Sequence, residues 1–187
     1  SLPTPLYTSV DIRHASFKVA PVDTNLFPGG FNNLHPDVIP QCIQSLKHTL
    51  EPQHQGNHIL LIPENHTRNA HYFENVITLQ SILAKAGYHV RVGSLLPDLD
   101  QARTIQLPSG NQLTLEPIIK HNNTLTLNNF TPDIIILNHD LSDTDPAYFS
   151  EITQPILPHI NMGWCSRTKT QHFDHYQHMS AQFANDF

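Results

Sequence analysis

The first residues that could carry chemistry lie in a polar loop, residues 63–69, that directly follows an apolar run at 59–62. The candidate ligand-binding side chains of this loop are Glu64, Asn65 and Arg68. Arg68 falls in the first turn of a predicted helix, where free backbone N–H groups and a guanidinium together favour a carboxylate or a phosphate. Asn and Thr at such a position are also ordinary helix caps, so the loop has a structural interpretation beside the functional one.

A second polar loop begins with Asn138 and follows the apolar run at 134–137. Open parallel sheets bind ligands beyond the carboxyl ends of their strands. If both apolar runs are parallel strands, the loop at 63–69 and Asn138 share that edge of the sheet. The alternative is that Asn138 simply ends a strand.

A third candidate segment, residues 22–33, places one carboxylate and several amides around Gly29 and Gly30. Glycines allow the backbone to approach a ligand closely. An aspartate could hold an ammonium group, and asparagines could hold amides or carboxylates; the candidates are Asp23, Asn25, Asn32 and Asn33. The alternative is a surface loop whose Phe27 and Phe31 are buried in the core.

The elements that must position these side chains are predicted to form an α/β fold, with a small, mainly parallel sheet flanked by helices and one inserted hairpin. The segment 59–92 predicts a strand, a helix and a second strand parallel to the first. Helices are predicted at 36–50, 67–86, 146–152 and 164–179; strands are predicted at 59–62, 88–92, near 125–127, at 134–137 and at the edge, 155–158; a hairpin is predicted at 104–115. Residues 1–33 are predicted to be mostly loop. We expect residues 1–57 to be a loop and helix packed on an α/β domain of residues 58–187.

Composition narrows the class of partner. Only 14% of residues are charged, and the formal net charge is −6. A nucleic-acid or anionic-membrane surface needs clustered Lys and Arg, which the chain lacks, so we expect neither partner. The two cysteines, Cys42 and Cys165, stand alone, which is typical of reduced thiols in the cytoplasm. A homo-oligomer is compatible with these features.

Several familiar signatures are absent from the sequence. It contains no glycine-rich phosphate loop, no dinucleotide-binding fingerprint and no nucleophile elbow of a hydrolase. It contains 14 histidines, but the spacing of His172, His175 and His178 turns the third side chain away from the first on a straight helix. We therefore predict no metal ligand in this chain.

Four motifs resemble the opening part of the proteobacterial glutamate–cysteine ligases. They are FKVAPVDTNLFPGGFNNL at 17–34, LLIPENHTRN at 60–69, NHDLS at 138–142 and GWCSRTK at 163–169, the last followed by His172 and Phe173. The motifs are long, specific and in the order of the family, and they span nearly the whole chain.

The resemblance implies part of an enzyme that joins the γ-carboxyl of glutamate to the amine of cysteine, the first step of glutathione synthesis. ATP and Mg²⁺ would be bound mainly by an ATP-grasp-like domain beyond residue 187, so this chain alone is expected to be inactive. Arg68 would bind a substrate carboxylate and Asp23 an α-ammonium group, while Glu64, Asn65 and Asn138 would shape the pocket and Asn25, Asn32 and Asn33 would surround Asp23. Arg167 and Lys169 could face phosphates, although they could equally form a solvated helix start.

Two other functions stay open on the residues alone. One is a free-standing α/β module that binds a small amino acid without catalysis. The other is half of a sugar-nucleotide transferase, since those enzymes also pair α/β domains.

Overall fold

The computed structural model describes residues 5–52, 55–65, 69–142, 144–163, 165–166 and 168–186. The strands are β1 (Ser9–Ala15), β2 (Lys18–Asn25), β3 (His58–Pro63), β4 (His89–Ser94), β5 (Arg103–Gln106), β6 (Gln112–Pro117), β7 (Ile119–His121), β8 (Thr124–Thr126), β9 (Ile134–Asn138) and β10 (Ile156–Leu157). The α-helices are α1 (Ile39–Leu50), α2 (Ala70–Lys85) and α3 (Lys169–Asp186). Short 3₁₀ helices cover Phe31–Asn33, Pro36–Val38, Pro146–Phe149 and Ile160–Met162.

The main sheet has six strands in the order β10-β9-β3-β4-β6-β5, and only the β5–β6 pair is antiparallel. The predicted α/β class and the parallel β3–α2–β4 unit are confirmed, and Gly87 ends α2 with a positive φ of 106°. The predicted hairpin exists as β5 and β6, but it is not an insertion beside the sheet. Because β6 also pairs with β4, the hairpin forms the edge of the main sheet.

Alternating side chains divide the core between the two faces of this sheet. Ile59 and Leu61 of β3 pack with Leu46 and Leu50 of α1 and with the buried side of α2. Leu60 and Ile62 face the other way, toward a second cluster built from β8, the segment 127–130 and the 3₁₀ helix at Pro146–Phe149. Both α1 and α2 therefore cover one face, whereas short irregular segments cover the other. All four apolar residues 59–62 have no exposed surface, as expected for a strand covered on both faces.

The expectation that residues 1–33 are mostly loop is wrong. Strands β1 and β2 form an antiparallel hairpin with a register shift between Asp11 and Ile12. Pro21 of β2 lies opposite Ile12, and a two-stranded ribbon tolerates this proline because each strand has a free edge. Polar residues and a proline interrupt the alternation of apolar and polar residues in this segment, so the two-residue period of a strand cannot be recognised in its sequence.

Most remaining elements follow the predictions with shifted bounds, but the helix predicted at 146–152 is only the 3₁₀ helix Pro146–Phe149. The strand near Leu125 is β8, which pairs with the unpredicted β7 in a separate two-stranded sheet. The edge strand is β10, beside β9. The last helix begins at Lys169 rather than at 164 and continues to Asp186, beyond its predicted end. None of the helices in the described ranges is long and apolar enough to cross a membrane.

Candidate functional site

The carboxyl ends of β3 and β9 lie side by side, because Pro63 at the end of β3 is paired with Asn138 at the end of β9. The Tyr72 hydroxyl connects the two loops that follow these strands. It accepts a hydrogen bond from the Glu64 backbone N–H at 2.9 Å and lies 2.8 Å from the carbonyl oxygen of Asn138. The sequence prediction that Glu64 and Asn138 share one edge of the sheet is thus confirmed.

Asn138 is at the centre of a buried polar network. Its side chain is 1% exposed. Its Oδ1 lies 2.9 Å from the Tyr72 hydroxyl and accepts from Asn75 Nδ2 at 3.2 Å, and its Nδ2 donates to the Pro28 carbonyl at 3.0 Å. Both ends of the amide are therefore engaged inside the chain, and a ligand contact from Asn138 would have to replace one of these bonds.

Tyr72 and Asn75, both on α2, are site-edge residues that the sequence analysis missed. Asn75 is 1% exposed, and its Oδ1 accepts from the Phe31 backbone N–H at 2.8 Å. Burial raises the pKa of Tyr72 far above its ordinary value, so the hydroxyl stays protonated and can donate to Asn138. The one available signal was two polar residues at i and i+3 on a helix side that is otherwise apolar, a pattern that indicates a buried polar contact.

The loop after β3 carries an acceptor that the rest of the described chain leaves unpaired. Asn65 Oδ1 is buried, and no described residue donates a hydrogen bond to it. A buried amide oxygen without a donor carries a desolvation cost of about 1–3 kcal/mol, which a ligand donor would relieve. Arg68, the first candidate for a substrate carboxylate, lies outside the described residues, as does Arg167.

Asp23 and Lys169 come together, although they were predicted for separate roles. Lys169 Nζ at the start of α3 is 4.0 Å from Asp23 Oδ2 on β2, and the other carboxylate oxygen accepts from the Thr24 N–H at 2.9 Å. Thr24 Oγ1 in turn lies 2.9 Å from His172 Nε2. The ammonium and carboxylate are both substantially exposed, so the pair is weak and either group can turn to a ligand.

The three asparagines of the early loop are placed mainly by local contacts. Asn25 Oδ1 accepts from the Phe27 N–H at 2.8 Å, which closes a turn, while Asn32 and Asn33 are exposed in a single 3₁₀ turn after Gly30, whose φ is 92°. Phe27 is buried, as the structural alternative for this loop predicted. Phe31 is half-buried and meets Tyr7 edge-on at 5.2 Å.

An open cleft of about 200 Å³ lies against this loop, and it is lined by Tyr7, Thr8 and Ser9 together with residues 28–31 and Leu34. Two lining residues connect the cleft to the sheet edge. The Pro28 carbonyl accepts a hydrogen bond from Asn138, and the Phe31 N–H donates one to Asn75. The cleft is mainly apolar, with Thr8 and Ser9 as its small polar residues, which is the usual lining of a small-ligand pocket. Among the residues that the structure describes, no three His, Cys, Asp or Glu side chains are grouped to hold a metal ion.

These features define the class of protein first: an α/β domain whose polar loops converge at the carboxyl ends of parallel strands, where such domains bind ligands. The family model for glutamate–cysteine ligase matches residues 1–187. The chain therefore belongs to the glutamate–cysteine ligase family, as its motifs predicted. A search of curated proteins gives no significant match.

A solved structure supports the same assignment. The crystal structure of a putative gamma-glutamylcysteine synthetase from Methylobacillus flagellatus KT is similar, with a TM-score of 0.87 and 44% sequence identity. The likeness covers 97% of this chain and 43% of that protein. This chain thus spans less than half the length of its structural relative.

Proposed function

We propose that this chain is the substrate-side part of an ATP-dependent ligase that joins the γ-carboxyl of L-glutamate to the amine of L-cysteine. The observation that carries the proposal is the family match over all 187 residues. It is supported by the 44% identity to a solved protein of the same description and by a polar sheet edge suited to small zwitterions.

The proposed reaction has two steps. A γ-carboxylate oxygen of glutamate attacks the terminal phosphorus of ATP, forming an acyl phosphate and releasing ADP. The cysteine amine then attacks the acyl carbon, the bond from carbon to the phosphate oxygen breaks, and the amine loses a proton as inorganic phosphate leaves. The product is γ-glutamylcysteine, the first intermediate of glutathione synthesis.

The described residues do not fit a nucleotide or Mg²⁺ site. They provide no grouped carboxylates for a metal ion, and the sequence has no glycine-rich phosphate loop. No catalytic step is therefore assigned to this chain. We propose that an ATP-grasp-like domain in the rest of a longer, cytoplasmic polypeptide binds ATP and Mg²⁺, and that the present chain forms the facing wall of the cleft.

Within this chain, the roles proposed for side chains are those of binding and orientation. Arg68 takes a substrate carboxylate. Glu64 and Asn65 belong to the same stretch of sequence, and Asn65 Oδ1 accepts no hydrogen bond from the described residues. Asn138 holds the neighbouring strand end in register through Tyr72. Asp23 would take an α-ammonium group with Asn25, Asn32 and Asn33 around it. Lys169 and Arg167 would contact phosphate groups of a nucleotide bound by the rest of the polypeptide.

The test is γ-glutamylcysteine formation by the full-length protein supplied with glutamate, cysteine, ATP and Mg²⁺. We expect product and ADP in equal amounts. Absence of product from folded protein would overturn the proposed function. Tight glutamate or cysteine binding by residues 1–187 without ATP would indicate a free-standing binding module instead.

The role of Arg68 has its own test in the same assay. Arg68→Ala should lower kcat/KM by about a hundredfold, because a charge-assisted carboxylate contact contributes about 2–3 kcal/mol. The matched control is Arg103→Ala, since Arg103 lies on the edge strand β5 and forms only a 4.0 Å pair with the exposed Asp98. Near-normal activity of Arg68→Ala would remove Arg68 from the site and leave the ligase assignment standing.

A further inference from the structure

Helix α3 is almost entirely exposed. Its 18 residues include only two half-buried ones, His172 and Tyr176, among those with described side chains. Helices in proteins derive most of their stability from packing an apolar face against a partner. A helix of this length with so little covered surface therefore calls for a partner beyond the residues already in contact with it.

The sequence of α3 shows which side that partner covers. His172, Tyr176, Met179 and Phe183 recur at intervals of four, three and four residues, which places them along one stripe of the helix. The first half of the stripe contacts β2: His172 Nε2 lies 2.9 Å from Thr24 Oγ1, and the Tyr176 hydroxyl donates to the Pro21 carbonyl at 3.4 Å. The second half of the stripe is exposed, Met179 at 51% and Phe183 at 65%.

The β1–β2 hairpin, which contacts α3, exposes further apolar side chains. Eight of the ten large hydrophobic residues that the described structure exposes lie on the hairpin, its turn or α3: Val10, Ile12, Phe17, Val19, Val22, Phe173, Met179 and Phe183. Phe17 in the turn is 89% exposed. Such a concentration of exposed apolar side chains on two contacting elements is typical of an interface rather than of a free surface.

We propose that the hairpin and α3 form a docking surface, and that the remainder of the same ligase polypeptide covers it. The length of the relative indicates what covers this surface, because more than half of the 44% identical protein lies outside the region that matches this chain. The surface also carries Asp23 and Lys169, so the segment that covers it reaches the candidate substrate residues. The inference rests on the proposed function only in assuming the longer polypeptide.

The two methionines of this chain provide the test. Met162 is 8% exposed and Met179 is 51% exposed. In the full-length protein treated with hydrogen peroxide, mass spectrometry of the peptides should give oxidation rates for the two methionines within about fivefold of each other, because both are then covered. A larger ratio, with Met179 reacting faster, overturns the proposal.

Protection of Met179 by the same polypeptide does not depend on protein concentration, whereas protection by a second copy of the protein does. Light scattering and the oxidation ratio are measured together over a dilution series. Protection of Met179 that persists in monomeric protein supports the intramolecular surface, whereas protection that disappears as dimers dissociate overturns it in favour of self-association.

A variant pair tests the surface directly. Phe183→Asp places a charge in the covered stripe and should raise the Met179 oxidation rate by at least about fivefold, because an unpaired buried charge is strongly unfavourable. Ile119→Asp is the matched control, since Ile119 is 48% exposed on β7, which belongs to the separate β7–β8 sheet. A slow rate at Met162 shows that each variant is folded, and unchanged protection of Met179 in Phe183→Asp overturns the proposal.

Ligase activity, measured on the same preparations, keeps the two conclusions separate. Protein that forms γ-glutamylcysteine but exposes Met179 disproves the docking surface alone. Protein that is inactive yet protects Met179 disproves the catalytic proposal alone.

Discussion

The edge of the main sheet and the hairpin–α3 surface both contain candidate site residues, but they hold them in opposite ways. At the sheet edge, Tyr72, Asn75 and Asn138 bond to one another and to the loops around them, and Asn75 and Asn138 are 1% exposed. On the hairpin and α3, Asp23 and Lys169 form a 4.0 Å pair, and the same two elements carry most of the large apolar side chains that the described residues expose.

The comparison shows that a polar residue can be important for two different reasons. Asn138 is engaged at both ends of its amide, so its first role is to hold β9, α2 and the loop at Pro28 together. Asp23 accepts a local hydrogen bond from the Thr24 N–H and forms a long ion pair with Lys169, so its carboxylate can still bind a ligand. Buried polar groups stabilise a structure only when all are satisfied, so substitutions should affect stability strongly at the edge and weakly on the surface.

The largest loss of stability should follow Asn138→Leu. The substitution leaves the Asn75 amide and the Pro28 carbonyl buried without their partner, and we expect about 3 kcal/mol less free energy of unfolding. Urea denaturation measures it, with Asn32→Ala as the exposed control, expected within about 0.5 kcal/mol of the parent. Equal effects of the two variants would contradict the distinction between the regions.

Tyr72→Phe should have a smaller effect, about 1–2 kcal/mol, because the ring remains while the Glu64 N–H loses its acceptor. The control is Tyr88→Phe. The Tyr88 hydroxyl makes no hydrogen bond to the described residues, so its removal should change the free energy of unfolding little. If both variants unfold at the same urea concentration, Tyr72 does not connect the two strand ends energetically.

Alkaline pH should affect the same edge. Burial raises the pKa of Tyr7 and of Tyr72 above the ordinary value of 10.0. The folded protein then keeps protons that the unfolded chain releases, so stability is full below pH 10 and falls as pH rises above it, by at most about 1.4 kcal/mol per pH unit for each group. Between pH 9 and 11, the free energy of unfolding measured in urea should decline less steeply with pH in Tyr72→Phe than in the parent. Identical slopes would contradict the burial of the Tyr72 hydroxyl.

The smallest effect is expected for Lys169→Met on the hairpin–α3 surface. The ion pair with Asp23 is long, so its loss by itself should change the free energy of unfolding by less than about 0.5 kcal/mol. Lys47→Met, which removes an exposed 3.6 Å pair with Glu51, is the matched control. A loss several times larger for Lys169 would mean that the hairpin and α3 form one cooperative unit.

The parts of the fold predicted correctly are those with strong local signals. Residues 59–62 and 134–137 are uniformly apolar, and both are central strands without exposed surface. The hairpin at Ser9–Asn25 was missed because its side chains are mostly exposed, so no buried face imposes alternation on its sequence. The hairpin at 103–117 was found, but its pairing with β4 is a long-range contact with no local signal.

The candidate site was likewise predicted only as far as local sequence signals allowed. That Glu64 and Asn138 lie at one edge could be predicted, because parallel strands share a direction. That Tyr72 connects them could not, since the bond depends on how α2 packs across the sheet. The pairing of Asp23 with Lys169 likewise joins residues from opposite ends of the chain.

By itself, the sequence determined the family and the parallel βαβ unit, because motif order and runs of apolar residues are local properties of the chain. Only the tertiary structure decided which polar residues are satisfied inside the protein and which face outward. Hydrogen-bond partners such as Tyr72 and Asn138 are 66 residues apart, and their meeting depends on packing rather than on neighbouring residues. The same packing leaves apolar side chains of the hairpin and α3 exposed, and the composition of the chain gives no sign of this.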